Sequence, residues 1–208
     1  MTRILIADDH AIVRRGLKQI IQEEFPFAET GEAADAEELV QKAIRESWDV
    51  VICDLNMPGR SGLDALKQIK QAIPNLPVLI MSMFSEDQYA IRVLKAGAAG
   101  YLSKVSVHDD LSKAIQAVLM GKKFITPSIA EKLANNLGAQ HDDPLHALSD
   151  REFEVFKLLG AGKSLSDIAS QLALSTNTVS TYRARILEKM NLGSNADIIR
   201  YALEKKLF

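Results

Sequence analysis

The stretch Val50-Val51-Ile52-Cys53-Asp54-Leu55-Asn56-Met57-Pro58-Gly59 decides how this chain is read. An apolar run of four residues stops at a carboxylate, and a Pro-Gly loop follows that opposes both helix and sheet. A short, wholly apolar run bounded by turn residues fits a strand buried on both faces. The same design recurs on either side of it. Arg3-Ile4-Leu5-Ile6-Ala7 stops at Asp8-Asp9, and Val78-Leu79-Ile80-Met81 stops at Ser82. Ala98-Ala99-Gly100-Tyr101-Leu102 leads through Ser103 to Lys104. As parallel strands these runs gather three carboxylates, a hydroxyl and an ammonium at one edge of a sheet, where open α/β folds bind ligands.

Helix-period segments fill the gaps. Residues 10–24 place Ile12, Leu17, Ile20 and Ile21 on one face, and a second strand is expected near residues 27–33. Residues 35–46 bury Leu39, Ala43 and Ile44 behind an Asp35 N-cap. Ser61 opens a helix through Leu66 and Ile69, and further helices are predicted over residues 86–95 and 107–119. Five βα units predict an α/β domain over residues 1–122, with a five-stranded, parallel, doubly wound sheet and right-handed crossovers. Thr126-Pro127 begins a short helix through Ile129, Leu133 and Leu137, inside a linker spanning residues 123–146 whose polar part carries Pro144. Residues 147–208 hold no strand pattern. Ser149-x-x-Glu152 is a capping box, and Ser164, Ser175 and Ser194 mark three more helix starts, which predicts an all-α unit of four helices.

Charge follows the same division. Residues 1–144 carry 16 basic against 20 acidic side chains, and residues 145–208 carry 9 against 7. An acidic front suits a cation site and a basic back suits nucleic acid. Cys53 is the single cysteine, which excludes an internal disulfide and fits a reducing compartment. Asp8-Asp9 comes too early for a signal-peptide core, and no apolar run approaches the ~18–20 residues that span a bilayer. A cytoplasmic protein without membrane association is expected. Asp8, Asp9 and Asp54 in one pocket would repel one another, and a divalent cation removes that penalty. Mg²⁺ takes oxygen ligands of this kind together with a phosphate.

With the ordered set of Asp8-Asp9, Asp54 before Met57-Pro58-Gly59, Ser82, and Tyr101 three residues before Lys104, residues 1–120 resemble a two-component receiver domain, which is flavodoxin-like. The resemblance implies that Asp54 accepts a phosphoryl group from a histidine kinase. It implies Mg²⁺ held by Asp9, Asp54 and the backbone carbonyl of Asn56, with Asp8 acting through water. Lys104 would pair with the phosphoryl oxygens and Ser82 would hydrogen-bond one of them, as charge neutralisation in phosphoryl transfer requires. The phosphoryl group draws Ser82 toward it, and Tyr101 is then placed to rotate inward. Met83 stands where many receivers have a small residue and would narrow access to the site.

Residues 149–208 resemble the LuxR-type helix-turn-helix of the NarL/FixJ response regulators. The motif runs through Leu148-Ser149-x-Arg151-Glu152, Gly162-Lys163-Ser164, Ile168-Ala169, Leu174-Ser175-x-x-Thr178-Val179 and Ile186-x-x-Lys189-Met190. In a helix from Thr176, Val179, Ile186 and Met190 fall on an inner stripe with Tyr182 or Arg183, and Ser180, Thr181 and Ala184 face base edges. Arg183, Arg185 and Lys189 are expected at phosphates, with the hydroxyls of Ser175 and Thr178. Tyr182 stands where His is commoner, and Asn195 where Arg or Thr is often found; both are phosphate-contact positions. The resemblance implies double-stranded DNA as a partner, a homodimer when phosphorylated, RNA polymerase as a further partner, and regulation of transcription rather than enzymatic turnover. Two competing readings remain: a Mg²⁺-dependent phosphatase of the haloacid-dehalogenase type, which would want an Asp at the Asn56 position, and a helical end that binds protein instead of DNA.

Overall fold

The computed structural model describes residues 1–83, 86–138 and 144–205. Its internal contacts divide the chain into two compact units, with the division between Lys132 and Leu133. The first contains β1 (Arg3–Ala7), α1 (Ala11–Glu24), β2 (Glu29–Ala33), α2 (Ala36–Arg45), β3 (Val50–Asp54), α3 (Gly62–Ala72), β4 (Val78–Ser82), α4 (Glu86–Lys95), β5 (Gly100–Ser103) and α5 (Val107–Leu119). The strands are all parallel in the order β2-β1-β3-β4-β5. The order reverses between β1 and β3, and that crevice is where such folds take ligands. Ala7 pairs with Cys53 there, so Asp8 and Asp54 are the next residues out on neighbouring strands.

Alternation along the buried strands supplies two cores. Ile4, Ile6, Ile52, Leu79, Met81 and Leu102 pack with Leu17 and Ile21 of α1 and with Leu111, Ile115 and Val118 of α5. Leu5, Val51, Cys53, Ile80 and Tyr101 are equally buried and belong to the opposite face. Asp35 caps α2 and Ser61 caps α3, each accepting from the backbone three residues on. Two apolar side chains expected inside lie outside. Ile12 is 74% exposed and Ile44 is 51% exposed. Each sits five residues from a buried leucine of its helix, about 140° round the axis and off the stripe.

After α5 the chain comes back to the sheet edge. The Phe124 amide donates to the Ala99 carbonyl at 2.8 Å, and Phe124 forms a parallel bridge with Gly100. A Cβ on Gly100 would fall 2.6 Å from the Phe124 carbonyl oxygen, so only glycine lets this return strand lie so close. α6 (Pro127–Gly138) then carries the chain across the division. Of the predicted linker, residues 139–143 lie outside the described residues, and Pro144–Ala147 form a single 3₁₀ turn.

The second unit continues with α7 (Asp150–Gly160), α8 (Leu165–Gln171), α9 (Thr176–Lys189) and α10 (Asn195–Glu204). Serines 149, 164, 175 and 194 are their N-caps, with full capping boxes at α7 and α8. Phe153, Phe156, Leu159, Ile168, Val179, Ile186, Ile198 and Ala202 form the core, with Tyr201 edge-on to Phe156. The turn between α8 and α9 is made by Ala173 in the left-handed region at φ 53°.

Candidate functional site

The strand ends carry a compact ionic site. Asp8 is fully buried and Asp54 is 3% exposed. The Lys104 ammonium lies 2.6 Å from Asp8 Oδ2 and 3.0 Å from Asp54 Oδ2, bridging the two carboxylates. Backbone pairing fixes that reach: the Lys104 amide donates to the Ser82 carbonyl, and Ser82 aligns with Ser103. Burial pushes the Asp54 carboxyl up to about 6, against the pull of Lys104 and an Asn56 backbone hydrogen bond, while the Asp8 charge adds to the rise. Burial alone would lower the Lys104 ammonium, but its bonds to Asp8 and Asp54 outweigh that and hold it above the usual lysine range.

A dication fits this donor set. Asp9 Oδ1 is buried and accepts no hydrogen bond; His10 Nδ1 lies 2.8 Å from it without hydrogen-bond geometry. Asp8, Asp9 and His10 each place one donor atom within 4.8 Å of the others. Asp54 is not part of that cluster and is joined to it through Lys104. Asn56 is exposed in the loop after β3, which Gly59 turns with φ 76°. Gly62 packs on the same strand end, where a Cβ would collide with the Asp54 carbonyl. Ser82 and Tyr101 are both fully buried on one face of adjacent strands, one side-chain step apart. The Tyr101 ring thus already lies inside, although the sequence predicts an inward swing on phosphorylation. Met83 projects outward, 65% exposed.

Two site neighbours were missed in the sequence. His10 follows the acidic pair directly, and its amide donates to Asp8 Oδ1 at 2.8 Å. Arg14, one helical turn on, donates to the Asp8 carbonyl oxygen and to Glu32, holding β1 to β2 at the site. The His-x-x-x-Arg spacing carried that signal.

In the second unit α9 divides as its sequence predicts. Val179, Ile186 and Met190 are buried; Ser180, Thr181, Ala184 and Arg185 are exposed; Tyr182 and Arg183 lie between. Ser175 Oγ accepts from the Thr178 amide, and the two hydroxyls lie 2.8 Å apart at the helix start. Lys189 differs from expectation. Its ammonium lies 2.7 Å from Glu152 Oε2, and Glu152 is 3% exposed. Burial alone would raise Glu152, but Lys189 and the Ser149 backbone outweigh it and hold the carboxyl below its ordinary value. The α7 capping box thereby grips the end of α9, and the basic character of Lys189 is spent inside the unit. Arg183 Nε donates to Asn195 Oδ1 at the start of α10.

A doubly wound sheet with this acid-and-lysine edge, followed by a capped helix-turn-helix, defines a signal receiver joined to a DNA-binding unit. The response regulator receiver domain family matches residues 4–116, and the luxR family of bacterial regulatory proteins matches residues 146–202. The oxygen regulatory protein NreC of Staphylococcus epidermidis is 37% identical over 99% of this chain and 98% of its own. Two solved structures of RcsB cover 96–97% of this chain and 97–98% of theirs. One, from Salmonella enterica bound to promoter rprA in the presence of phosphomimetic BeF₃⁻, has a TM-score of 0.68 at 26% identity. The other, of two RcsB dimers bound to two parallel DNAs, has 0.61 at 28%. This chain belongs to the two-component response regulators of the NarL/FixJ family, with a receiver domain and a LuxR-type DNA-binding domain.

Proposed function

We propose that the protein accepts a phosphoryl group on Asp54 from a histidine kinase and then dimerises on promoter DNA. The observation that carries this is the Asp8–Lys104–Asp54 bridge at the end of β1 and β3. A carboxyl near 6 is largely ionised at neutral pH and can attack phosphorus; the new oxygen–phosphorus bond forms as the bond to the kinase imidazole breaks. Lys104 turns from Asp54 to the phosphoryl oxygens it has just gained, and Ser82 donates to one of them. Asp9, Asp54 and the Asn56 carbonyl would hold Mg²⁺, with Asp8 through water and His10 near by. When bound, Mg²⁺ supplies positive charge against the phosphoryl dianion. Ser82 and Tyr101 share one face, so a move at the first is transmitted to the ring at the second. Ser180, Thr181 and Ala184 read base edges; Arg183, Arg185, Tyr182, Ser175 and Thr178 contact phosphates. Dimerisation and DNA contact are features of the RcsB structures and are proposed here by that likeness. The chain signals by holding its phosphoryl group, not by turning over substrate.

The test incubates the full chain and Asp54→Asn with a small phosphodonor and measures phosphate incorporation, oligomeric state and DNA binding. Incorporation and tighter binding in the wild type alone support the reading. Donor-dependent binding that survives Asp54→Asn refutes it, and phosphate release in many multiples of the protein favours a phosphatase.

A further inference from the structure

We infer that Asn195 is a positioning residue that commits Arg183 to a DNA phosphate; this rests on the DNA-binding reading above. The cations of the second unit differ in what holds them. Arg151, Lys189 and Arg200 face Glu154, Glu152 and Asp197 at 2.7, 2.7 and 2.9 Å, so their charge is largely cancelled. Lys157 is buried. Lys163 bonds the Gln171 amide, but the Asp167 carboxylate is within electrostatic reach of it. Arg183 is held otherwise, by an uncharged amide oxygen in the first turn of α10.

That choice of partner matters. A guanidinium has five N–H groups, and the Nε bond to Asn195 uses one. The remaining four form the planar fork that matches a phosphate in bidentate fashion, and fixing Nε fixes the plane of the fork. The full positive charge remains. Less side-chain freedom is lost when DNA arrives, because the rotamer is already selected. The place on α9 is also right for a phosphate. Arg183 lies about 40° round the axis from buried Val179 and about 60° from exposed Ser180, on the flank that meets the wall of a groove rather than its floor. Arg185 is the other arginine of the helix; it is exposed, and it supplies charge without this orientation.

Binding of the full chain to a fluorescein-labelled, mixed-sequence DNA duplex, followed by anisotropy across a salt series, tests the assignment. Each phosphate neutralised contributes about 0.9 to the slope of log affinity against log salt. Arg183→Ala should lower the slope by about that amount. Asn195→Asp should do the same with the arginine still present, because a carboxylate cancels its charge. Asn195→Ala should keep the slope and weaken binding several-fold, and Asn195→Gln should recover part of that loss. The double variant Arg183→Ala, Asn195→Asp should lose no more than Arg183→Ala alone. Circular dichroism matching the wild type confirms that the compared proteins are folded. An unchanged slope for Arg183→Ala, or losses that add in the double variant, overturns the inference. A wild-type chain that binds no duplex at low salt overturns the DNA-binding reading itself.

Discussion

Asp54→Asn should make the unphosphorylated receiver more stable at neutral pH. The Asp54 carboxyl is 3% exposed, and burial lifts it from 3.8 to about 6 despite the neighbouring Lys104 ammonium. Below about pH 4 the group is neutral in folded and unfolded chains alike. From there to about pH 6 the unfolded chain gives up its proton first, so native stability declines as pH rises, and the loss is complete above. A gap of about 2 units at roughly 1.4 kcal/mol each is about 3 kcal/mol. Asparagine keeps the shape and removes the buried charge, while Lys104 retains Asp8 at 2.6 Å. The expected gain is about 1–3 kcal/mol near pH 7, shrinking to nothing near pH 4. Trp48 is the only tryptophan, and its indole donates to the Lys42 carbonyl, so its fluorescence follows urea unfolding of the receiver alone. The assay runs in chelator; adding Mg²⁺ should then narrow the gap, because a cation relieves the same charge. A variant no more stable than wild type near neutral pH, or a gap that persists in acid, would refute the burial argument.

Gly62→Ala drives a Cβ into the Asp54 carbonyl and should destabilise the receiver by about 1–3 kcal/mol, read by the same Trp48 fluorescence. Ala173→Gly relieves a left-handed residue in the helix-turn-helix turn and should raise the stability of the second unit by up to about 1 kcal/mol, seen as a higher melting temperature of its helices. Burial pushes the Lys157 ammonium down to about 7, against the pull of Glu154. The second unit should therefore gain stability as pH rises from about 7 toward 10, and Lys157→Met should flatten that rise and stabilise the unit near neutrality, checked by chemical denaturation across this range.

Much of the fold was legible because its signals are local. Buried parallel strands need uninterrupted apolar runs, and helix starts need a hydroxyl or carboxylate; Asp35, Ser61, Ser149, Ser164, Ser175 and Ser194 all cap where the sequence places them. Strand ends were legible for the same reason, so Asp8, Asp54, Ser82 and Lys104 converge. Side-chain choice among several partners was not. Lys189 reads as a DNA-facing cation on a helical wheel, yet it finds Glu152, a residue 37 positions earlier. Ile12 reads as core from its neighbours and lies outside, because burial depends on which stripe the sheet covers. Tyr101 reads as a ring that turns inward on phosphorylation, and it lies fully enclosed without it, because a strand's sequence does not say how a ring on it is packed.

The return of Phe124 to the sheet has a mechanical meaning. The peptide leaving the receiver is stitched to Gly100, one residue before Tyr101, and α6 begins at Pro127, three residues after the stitch. Any displacement of this edge strand therefore carries the backbone at Phe124 with it, three residues short of the start of α6.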